Sequence, residues 1–591
     1  RFNWDAPIVV SQHDPKRLYF ASYRVWRSES RGDDWTPISG DLTRNDERLA
    51  MPIMGGVQSW DNPWDIYAMS NYSTITSLAE SKTNENVIWA GTDDGILQVT
   101  TDGGTNWKKI MVSELPDVPE RAFVNDIKVD LYDENTVYVS LDNHKEGDFK
   151  PYLFKSTNLG KSWTNLGEDL PDGTLIWRLV QDHVKKDLLF IGTENGIYTS
   201  LNGGEVWKKL AGSPTISFRD LAIQTRENDL VGASFGRSFW VLDDYSPLRE
   251  MSEEAMEKEG ALFSIRDAWW FNPRGNDPGV GADQYAAKNP DFGAMITYNI
   301  NTEYKSLAAQ RKEAEKEAKK GEKELTFPGY EALDKEAAQR KPKVWFTIRN
   351  ADGEVIRTFS KPLKKGLQRT TWNLRYASTW PIRPGQGGGG WFGGGAMAPP
   401  GKYSVSMAKE VEGKVTELAG PVEFNVKPLH KPTVAGASAE ELVAYRDEVK
   451  GVQDKMAAGQ EKLEKLTKQI KSMETALARA SVAPGKLHEE LYALQDQIMD
   501  LERKLEGSPS RDAVGEKAPP TVQDHFFAGF RGLSTTYGPT PNMKRSLGIA
   551  ADMLKEVMPQ IEALAAKLPA LKTQLKAAGA PYMIGTGMEK E

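Results

Sequence analysis

Through the first 250 residues, short apolar or aromatic runs alternate with polar, turn-forming strings. The runs LYFAS, VIWAGTDDGILQV, YLF and LLFIGTENGIYT are preceded by HDPKR, KTNEN, YDENT and HVKKD. Apolar stretches this short, bounded by Asn, Asp, Gly and Pro, predict β-strands rather than helices. After each run comes one motif, Ser/Thr-x-polar-x-Gly-x-x-Trp. Its four copies are Ser28–Trp35, Thr100–Trp107, Ser156–Trp163 and Ser200–Trp207. The strings GTDDG (Gly91–Gly95) and GTENG (Gly192–Gly196) recur ahead of two of them. A fifth unit, Asn228–Asp244, carries the strand pair without the motif. A repeat of this kind predicts a row of small sheets, each built from one copy.

The residue types of the motif have a structural logic. The polar side chain at its third position (Ser30, Asp102, Asn158, Asn202) can accept hydrogen bonds from turn N–H groups. The Gly (Gly32, Gly104, Gly160, Gly204) supplies positive φ, and the closing Trp (Trp35, Trp107, Trp163, Trp207) offers a large apolar face to wedge under the hairpin. Such a motif is a hairpin lock and not a catalytic device.

The pattern changes after Pro247. An acidic stretch leads to LFSIRDAWWFNP and AMITYNI, and later to KVWFTIRNADGEVIRTFS, QRTTWNLRYAS and GKYSVSMAKEVEGKVTELAGPVEFNVKPL. Alternating residues with a turn at Asp352-Gly353 predict an immunoglobulin- or fibronectin-like sandwich over roughly 262–428, within a domain of residues 251–430. Two segments interrupt it. Residues 302–341 are highly charged and read as an exposed helix pair or a mobile flap. Residues 385–395, GQGGGGWFGGG, hold seven glycines after Gln386 and predict a loop. That loop lacks the Lys-Ser/Thr ending of a phosphate-binding loop and opens no helix. Trp391 and Phe392 at its centre are expected to fold back on the sandwich.

From Ser438 the apolar period becomes helical. Ser438-x-x-Glu441 is a capping box. Leu463, Leu466, Ile470, Met473 and Leu477 recur at alternating spacing of three and four, as do Leu487, Leu491, Leu494, Ile498, Leu501 and Leu505. With Asn542–Ala577 these predict an antiparallel hairpin or small bundle over 431–591, crossed by the string HFFAGFRGLSTTYGPTP.

Composition narrows the function. Lys and Arg number 75 against 83 Asp and Glu, a formal net charge of −8, which argues against a nucleic-acid partner. There is no cysteine, hence no disulfide framework and no thiol nucleophile, and six scattered His show no metal-binding spacing. The expectation is no cofactor and no metal, and no stretch reads as a transmembrane segment. Glycosidases need two carboxylates and leave no local signature. The candidates are therefore Asp61 and Asp65 beside Trp60 and Trp64, a pairing that also suits a carbohydrate platform, and Glu194. Asp93, Asp94, Asp243 and Asp244 are weaker candidates. Arg237, with Arg178 and Arg219, could serve an anionic ligand.

The four motif copies resemble the Asp-box, or BNR, repeat of bacterial sialidases, xyloglucanases and sortilin-type propellers. The strings RFNWDAPIVVSQHDPKRLYFAS, WAGTDDGILQVTTDGG and GRSFWVLDDYSPL further resemble large bacterial sortilin-like proteins labelled as glycosyl hydrolases. The resemblance implies about five Asp-box β-propeller blades in residues 1–250, belonging to a larger propeller with further blades ahead of Arg1. It also implies a place outside the cytoplasm of a bacterium: the periplasm, the outer-membrane surface or the medium. The function expected is a binding or scaffold role in the cell envelope. Its partner would be another envelope protein, the chain's own N-terminal half or a glycan. A glycoside hydrolase of sialidase or xyloglucanase type is the alternative.

Overall fold

The computed structural model describes residues 1–591 except 54, 58, 60, 62–66, 68–70, 274–284, 286, 383–393, 432 and 584–591. It divides into two compact units, 1–255 and 256–591.

Five antiparallel meanders, among the described residues, make up the first unit. The first holds β1 (Ile8–Val10), β2 (Leu18–Ala21), β3 (Val25–Ser28) and β4 (Thr36–Pro37). A two-stranded hairpin follows, β5 (Pro52–Ile53) and β6 (Gly56–Val57). The second meander has β7 (Ile75–Glu80), β8 (Ile88–Thr92), β9 (Ile96–Thr100) and β10 (Lys108–Met111). The third has β11 (Phe123–Val129), β12 (Val137–Asn143), β13 (Asp148–Ser156) and β14 (Thr164–Asn165). The fourth has β15 (Ile176–Gln181), β16 (Leu189–Thr193), β17 (Gly196–Ser200) and β18 (Lys208–Lys209). The fifth is three-stranded, with β19 (Phe218–Gln224), β20 (Asp229–Ser234) and β21 (Phe239–Leu242).

First strands pack on first strands: β1 on β7, β7 on β11, β11 on β15 and β15 on β19. The sheets thus succeed one another as blades with their first strands innermost. In blades two and four the second strand is buried on both faces, which is why VIWAGT and LLFIGT are continuously apolar. Between blades two and three, Trp89, Leu97 and Val99 meet Val124, Val139 and Phe154 in one cluster. Tyr138 and Leu153 of blade three meet Ile176, Leu179 and Ile191 of blade four. Each such side chain contributes about 1.5–3 kcal/mol by leaving water.

The repeated motif closes the turn after the third strand of four blades. The Ser or Thr that opens it accepts from the Gly N–H: Gly32 N to Ser28 Oγ at 2.8 Å, Gly104 N to Thr100 Oγ1 at 3.0 Å, Gly160 N to Ser156 Oγ at 2.9 Å and Gly204 N to Ser200 Oγ at 2.9 Å. The third-position side chain accepts from the N–H four residues on, as in Asn106 N to Asp102 Oδ1 at 2.9 Å and Val206 N to Asn202 Oδ1 at 3.1 Å. The four glycines have φ between 72° and 102°.

The second unit contains two sheets around one core. One has the order β22 (Gly260–Leu262), β24 (Ala294–Ile300), β27 (Gly366–Trp372). The other runs β23 (Ala268–Trp270), β29 (Lys414–Pro428), β28 (Gly401–Val411), β25 (Lys343–Arg349), β26 (Val355–Pro362). The core joins Ile296 and Tyr298 to Phe346, Ile348, Trp372, Val405 and Met407. The pairing of β23 with β29 is parallel. The charged segment forms two helices, α1 (Leu307–Lys320) and α2 (Tyr330–Ala338), neither with a buried residue. Arg311 links them, donating to Glu336 at 2.8 Å. Trp391 and Phe392 lie outside the described residues.

Among the described residues five helices longer than two turns follow, α3 (Ala439–Leu477), α4 (Lys486–Glu506), α5 (Val522–Phe530), α6 (Pro541–Ala565) and α7 (Leu568–Ala577), with a single turn at Pro509–Asp512 between α4 and α5. Ser438 and Glu441 cap α3 reciprocally. The segment read as a crossover contains helix α5, because Thr521 and Asp524 form a second capping box and Phe526 and Phe530 fall on one face. Trp380 packs among Phe526, Phe527 and Phe530, and Thr379 Oγ1 donates to Gln453 Oε1 at 2.7 Å. The change from strand to helix near residue 430 therefore falls inside one compact unit. No helix of the described residues is long and apolar enough to cross a membrane.

Candidate functional site

A break in strand register recurs at one place in four consecutive inner strands. In β7 the pairing skips from Ile75 to Ser77, in β11 from Val124 to Asp126, in β15 from Ile176 to Arg178 and in β19 from Phe218 to Asp220. The extra residues are Thr76, Asn125, Trp177 and Arg219. A bulge leaves its residue out of the ladder and turns its side chain. All four side chains line one cleft of about 550 Å3 at the inner end of the blades.

A second position repeats beside the bulges, and in blades three and five it lines the cleft. The residue after the second strand's partner to the bulge is Asp93 in blade two, Asp142 in blade three, Glu194 in blade four and Phe235 in blade five. Asn3, Asp5, Phe123, His144, Lys145, Arg178 and Asp220 complete the wall together with Asp142 and Phe235.

The bulge residues tie neighbouring blades. Thr76 Oγ1 donates to Val124 O at 2.7 Å and Asn125 Nδ2 donates to Ile176 O at 2.9 Å. The residue after each bulge does the same: Ser77 Oγ accepts from Ile127 N at 2.8 Å, and Asp126 Oδ2 from Leu179 N at 3.0 Å. Arg178 is pinned between two carboxylates, donating to Asp126 Oδ1 at 2.8 Å with its Nε 2.9 Å from Asp220 Oδ1. The Asp126 charge holds the guanidinium above its ordinary range, against the opposing effect of burial.

The aromatic centre of the cleft is Trp177. Its Nε1 donates to Glu194 Oε2 at 3.0 Å, and the Arg219 guanidinium lies over its ring 3.5 Å from the centroid. Phe235 flanks the same guanidinium at 5.3 Å. On the other side His144 meets the indole edge-on at 5.9 Å and bonds through Nδ1 to Asp142. Lys145 Nζ stands 5.1 Å over Phe123. The cleft thus offers a fixed guanidinium fork, an ammonium and apolar ring faces, which suits a ligand with both anionic and apolar parts.

Glu194 holds Trp177 in this arrangement, and Arg178 and Arg219 both line the cleft. Arg237 sits in an exposed turn of blade five and uses its carbonyl to accept from Trp240 Nε1 at 3.1 Å. It is not among the cleft-lining residues. Asp61 is exposed and paired with Ser59, whereas Trp60, Trp64 and Asp65 lie outside the described residues. Asp93 and Asp94 are buried turn anchors. Asp93 accepts from Thr74 N at 2.8 Å and Thr74 Oγ1 at 2.6 Å, and burial pushes its carboxyl up to about 6. Asp94 accepts from Thr92 Oγ1 at 2.6 Å and Arg44 N at 2.8 Å. Asp244 likewise anchors a turn, accepting from Ser246 Oγ at 2.6 Å.

Sequence reasoning missed Trp177, Asn125, His144 and Lys145. A signal was there: Ile75-Thr76-Ser77, Val124-Asn125-Asp126, Ile176-Trp177-Arg178 and Phe218-Arg219-Asp220 align as an apolar residue, a variable one and a polar one. Among the described residues no group of three His, Asp or Glu could hold a metal ion.

No protein-family model matches the chain, and no curated protein matches it. The solved structures similar to it include β-propeller proteins and glycoside hydrolases. An ancestral GH74 enzyme shares 14% identity over 74% of this chain and 48% of its own, with a TM-score of 0.31. The GH74 xyloglucanase from Xanthomonas campestris shares 13% over 69% of this chain and 63% of its own, at 0.32. The Swd1 β-propeller domain of Myceliophthora thermophila shares 9% over 62% and 89%, at 0.30. The chain spans about half the length of the ancestral enzyme. These scores assign no activity.

Proposed function

We propose that the protein is a binding or scaffold component of the bacterial cell envelope, acting outside the cytoplasm, with the blade unit as its interaction platform. Its ligand face is the cleft lined by Thr76, Asn125, Trp177 and Arg219. The observation that supports this reading is the bulge repeated in four inner strands, which turns four side chains of different chemistry into one space. The carboxylates around that space are engaged: Asp142 with His144, Glu194 with Trp177, Asp220 with Arg178. Such an arrangement holds shape and charge for recognition.

Glycoside hydrolysis is the second reading, favoured by Asp142 and Glu194 lying to either side of Trp177. The test is hydrolysis of a panel of polysaccharides and sialosides, with Glu194→Gln, Asp142→Asn, Asp61→Ala and Asp65→Ala alongside. The platform reading expects no turnover, a stable complex in the envelope, and loss of that complex in Arg219→Ala. Robust turnover abolished by one carboxylate change would overturn it.

A further inference from the structure

One corner of the second unit gathers cations that its own packing does not use. Two short strings meet there, RKPK (340–343) and KPLKK (361–365). The register of β25 and β26 sets Lys343 opposite Pro362 and Val344 opposite Lys361. Past the end of the ladder, Leu363 N donates to Pro342 O at 3.2 Å. Lys341 precedes and Lys364 follows the two residues joined by that bond, so they are neighbours across the strands. Arg340, Lys341, Lys343, Lys361, Lys364 and Lys365 are all exposed. Among the described residues none of the six is held in an ion pair.

Carboxylates on the neighbouring strands are engaged elsewhere. Glu410, opposite Lys343 on β28, accepts from Trp345 Nε1 at 2.6 Å, and Glu259 takes the ammonium of Lys409, which stands opposite Val344. Asp352 and Glu354 lie at the far end of the β25–β26 hairpin, about 20 Å along the strand from Lys343. Charges that distant are screened, because the Debye length is about 8 Å at physiological salt. Like charges at neighbouring positions of paired strands repel and weaken the ladder. Guarding the β26 edge against another strand does not call for so many lysines. Val344, Phe346 and Ile348 point into the core, so Lys343 and the half-buried Trp345 face outward together. Lys343 Nζ stands 5.7 Å over the Trp345 ring, which sets an apolar surface beside the cations.

We propose that this corner binds an acidic polysaccharide, a linear glycan with carboxylates on successive sugars. Anions laid along the two strings relieve the repulsion between them and release the counterions that the cations otherwise hold. The cations follow two strand ends in a row about 14 Å long, which fits a chain of anions better than the plane of a membrane surface. The formal charge of −8 on the whole chain disfavours the denser charge of a nucleic acid. The inference stands apart from the cleft of the first unit and from what the cleft binds.

The experiment titrates the 591-residue chain with polygalacturonate by calorimetry at about 50 and about 200 mM salt. Binding is expected at the lower salt and should weaken about tenfold or more at the higher one, as contacts that release counterions do. Lys341→Gln with Lys364→Gln, and separately Lys361→Gln with Lys365→Gln, should each lower affinity about fivefold or more. Neither pair should lower the melting temperature, since each removes a repulsion. Lys465→Gln with Lys468→Gln, exposed on α3, should leave binding unchanged. No binding, salt-independent binding, affinity that either corner pair leaves intact, or an equal loss in the α3 pair overturns the proposal. A lower melting temperature in both corner pairs does so too, because the cations would then be holding the fold. Loss of binding in Arg219→Ala would assign the glycan to the cleft and overturn it. Tighter binding to duplex DNA or to phosphatidylglycerol vesicles than to polygalacturonate would overturn it in favour of those partners.

Discussion

The guanidinium of Arg219 lies over the indole of Trp177, 3.5 Å from the ring centroid, while the indole Nε1 donates to Glu194 at 3.0 Å. The two residues are the bulged positions of adjacent inner strands, so the contact bridges blade four and blade five. It occupies the Trp177 face that a sugar ring would otherwise stack on. The guanidinium edge is left to meet a ligand.

Removing that contact has a readable consequence. Arg219→Ala should lower stability by about 0.5–1 kcal/mol, the range for an exposed cation–π pair. It should also shift Trp177 emission to the red as the ring face meets water. Denaturant titration followed by fluorescence measures both. Unchanged emission would mean that the stack is not formed in solution.

The buried carboxyl of Asp93 gives a pH dependence of definite sign. Burial raises it from an ordinary 3.8 to about 6, so the folded chain holds the proton more tightly than the unfolded one. Its contribution is complete below about pH 4 and is lost as pH rises through 6, amounting to on the order of 3 kcal/mol. Asp93→Asn should flatten the stability profile between pH 4 and 6. An unaltered slope in urea melts across that window would refute the assignment.

Asp102 should behave in the opposite sense. The backbone N–H of Asn106, then its side chain and Thr100, hold the carboxyl down at about 2. That stabilisation is present above about pH 4 and fades as pH falls through 2. Asp102→Ala should lower the melting temperature at pH 7 and narrow the gap to the unchanged chain at pH 2. Calorimetry at the two pH values is the check, with ligand binding at the cleft expected to survive.

The packing between blades three and four can be tested at a single side chain. Leu166 is buried against Gly204 and Trp207. Leu166→Ala should cost about 2–4 kcal/mol, because the void opens between two blades that cannot collapse onto each other. Hydrogen exchange should show the loss concentrated in blades three and four. A cost below about 1 kcal/mol would show that the aliphatic knob is dispensable.

The chain's local grammar was readable without coordinates because it is written in short-range physics. A Ser or Thr four residues before Gly, and Asp102 four before Asn106, specify their turn through bonds inside eight residues. Ser438 and Glu441 likewise start α3 through contacts within one helical turn. Apolar runs between such turns could only be strands, and heptad-like spacing after residue 438 could only be helices. The cleft was different. Trp177 and Arg219 are 42 residues apart and meet because a bulge in each inner strand turns both toward one axis. Nothing in either tripeptide announces which side chain leaves the ladder, since that follows from the register of the neighbouring strand.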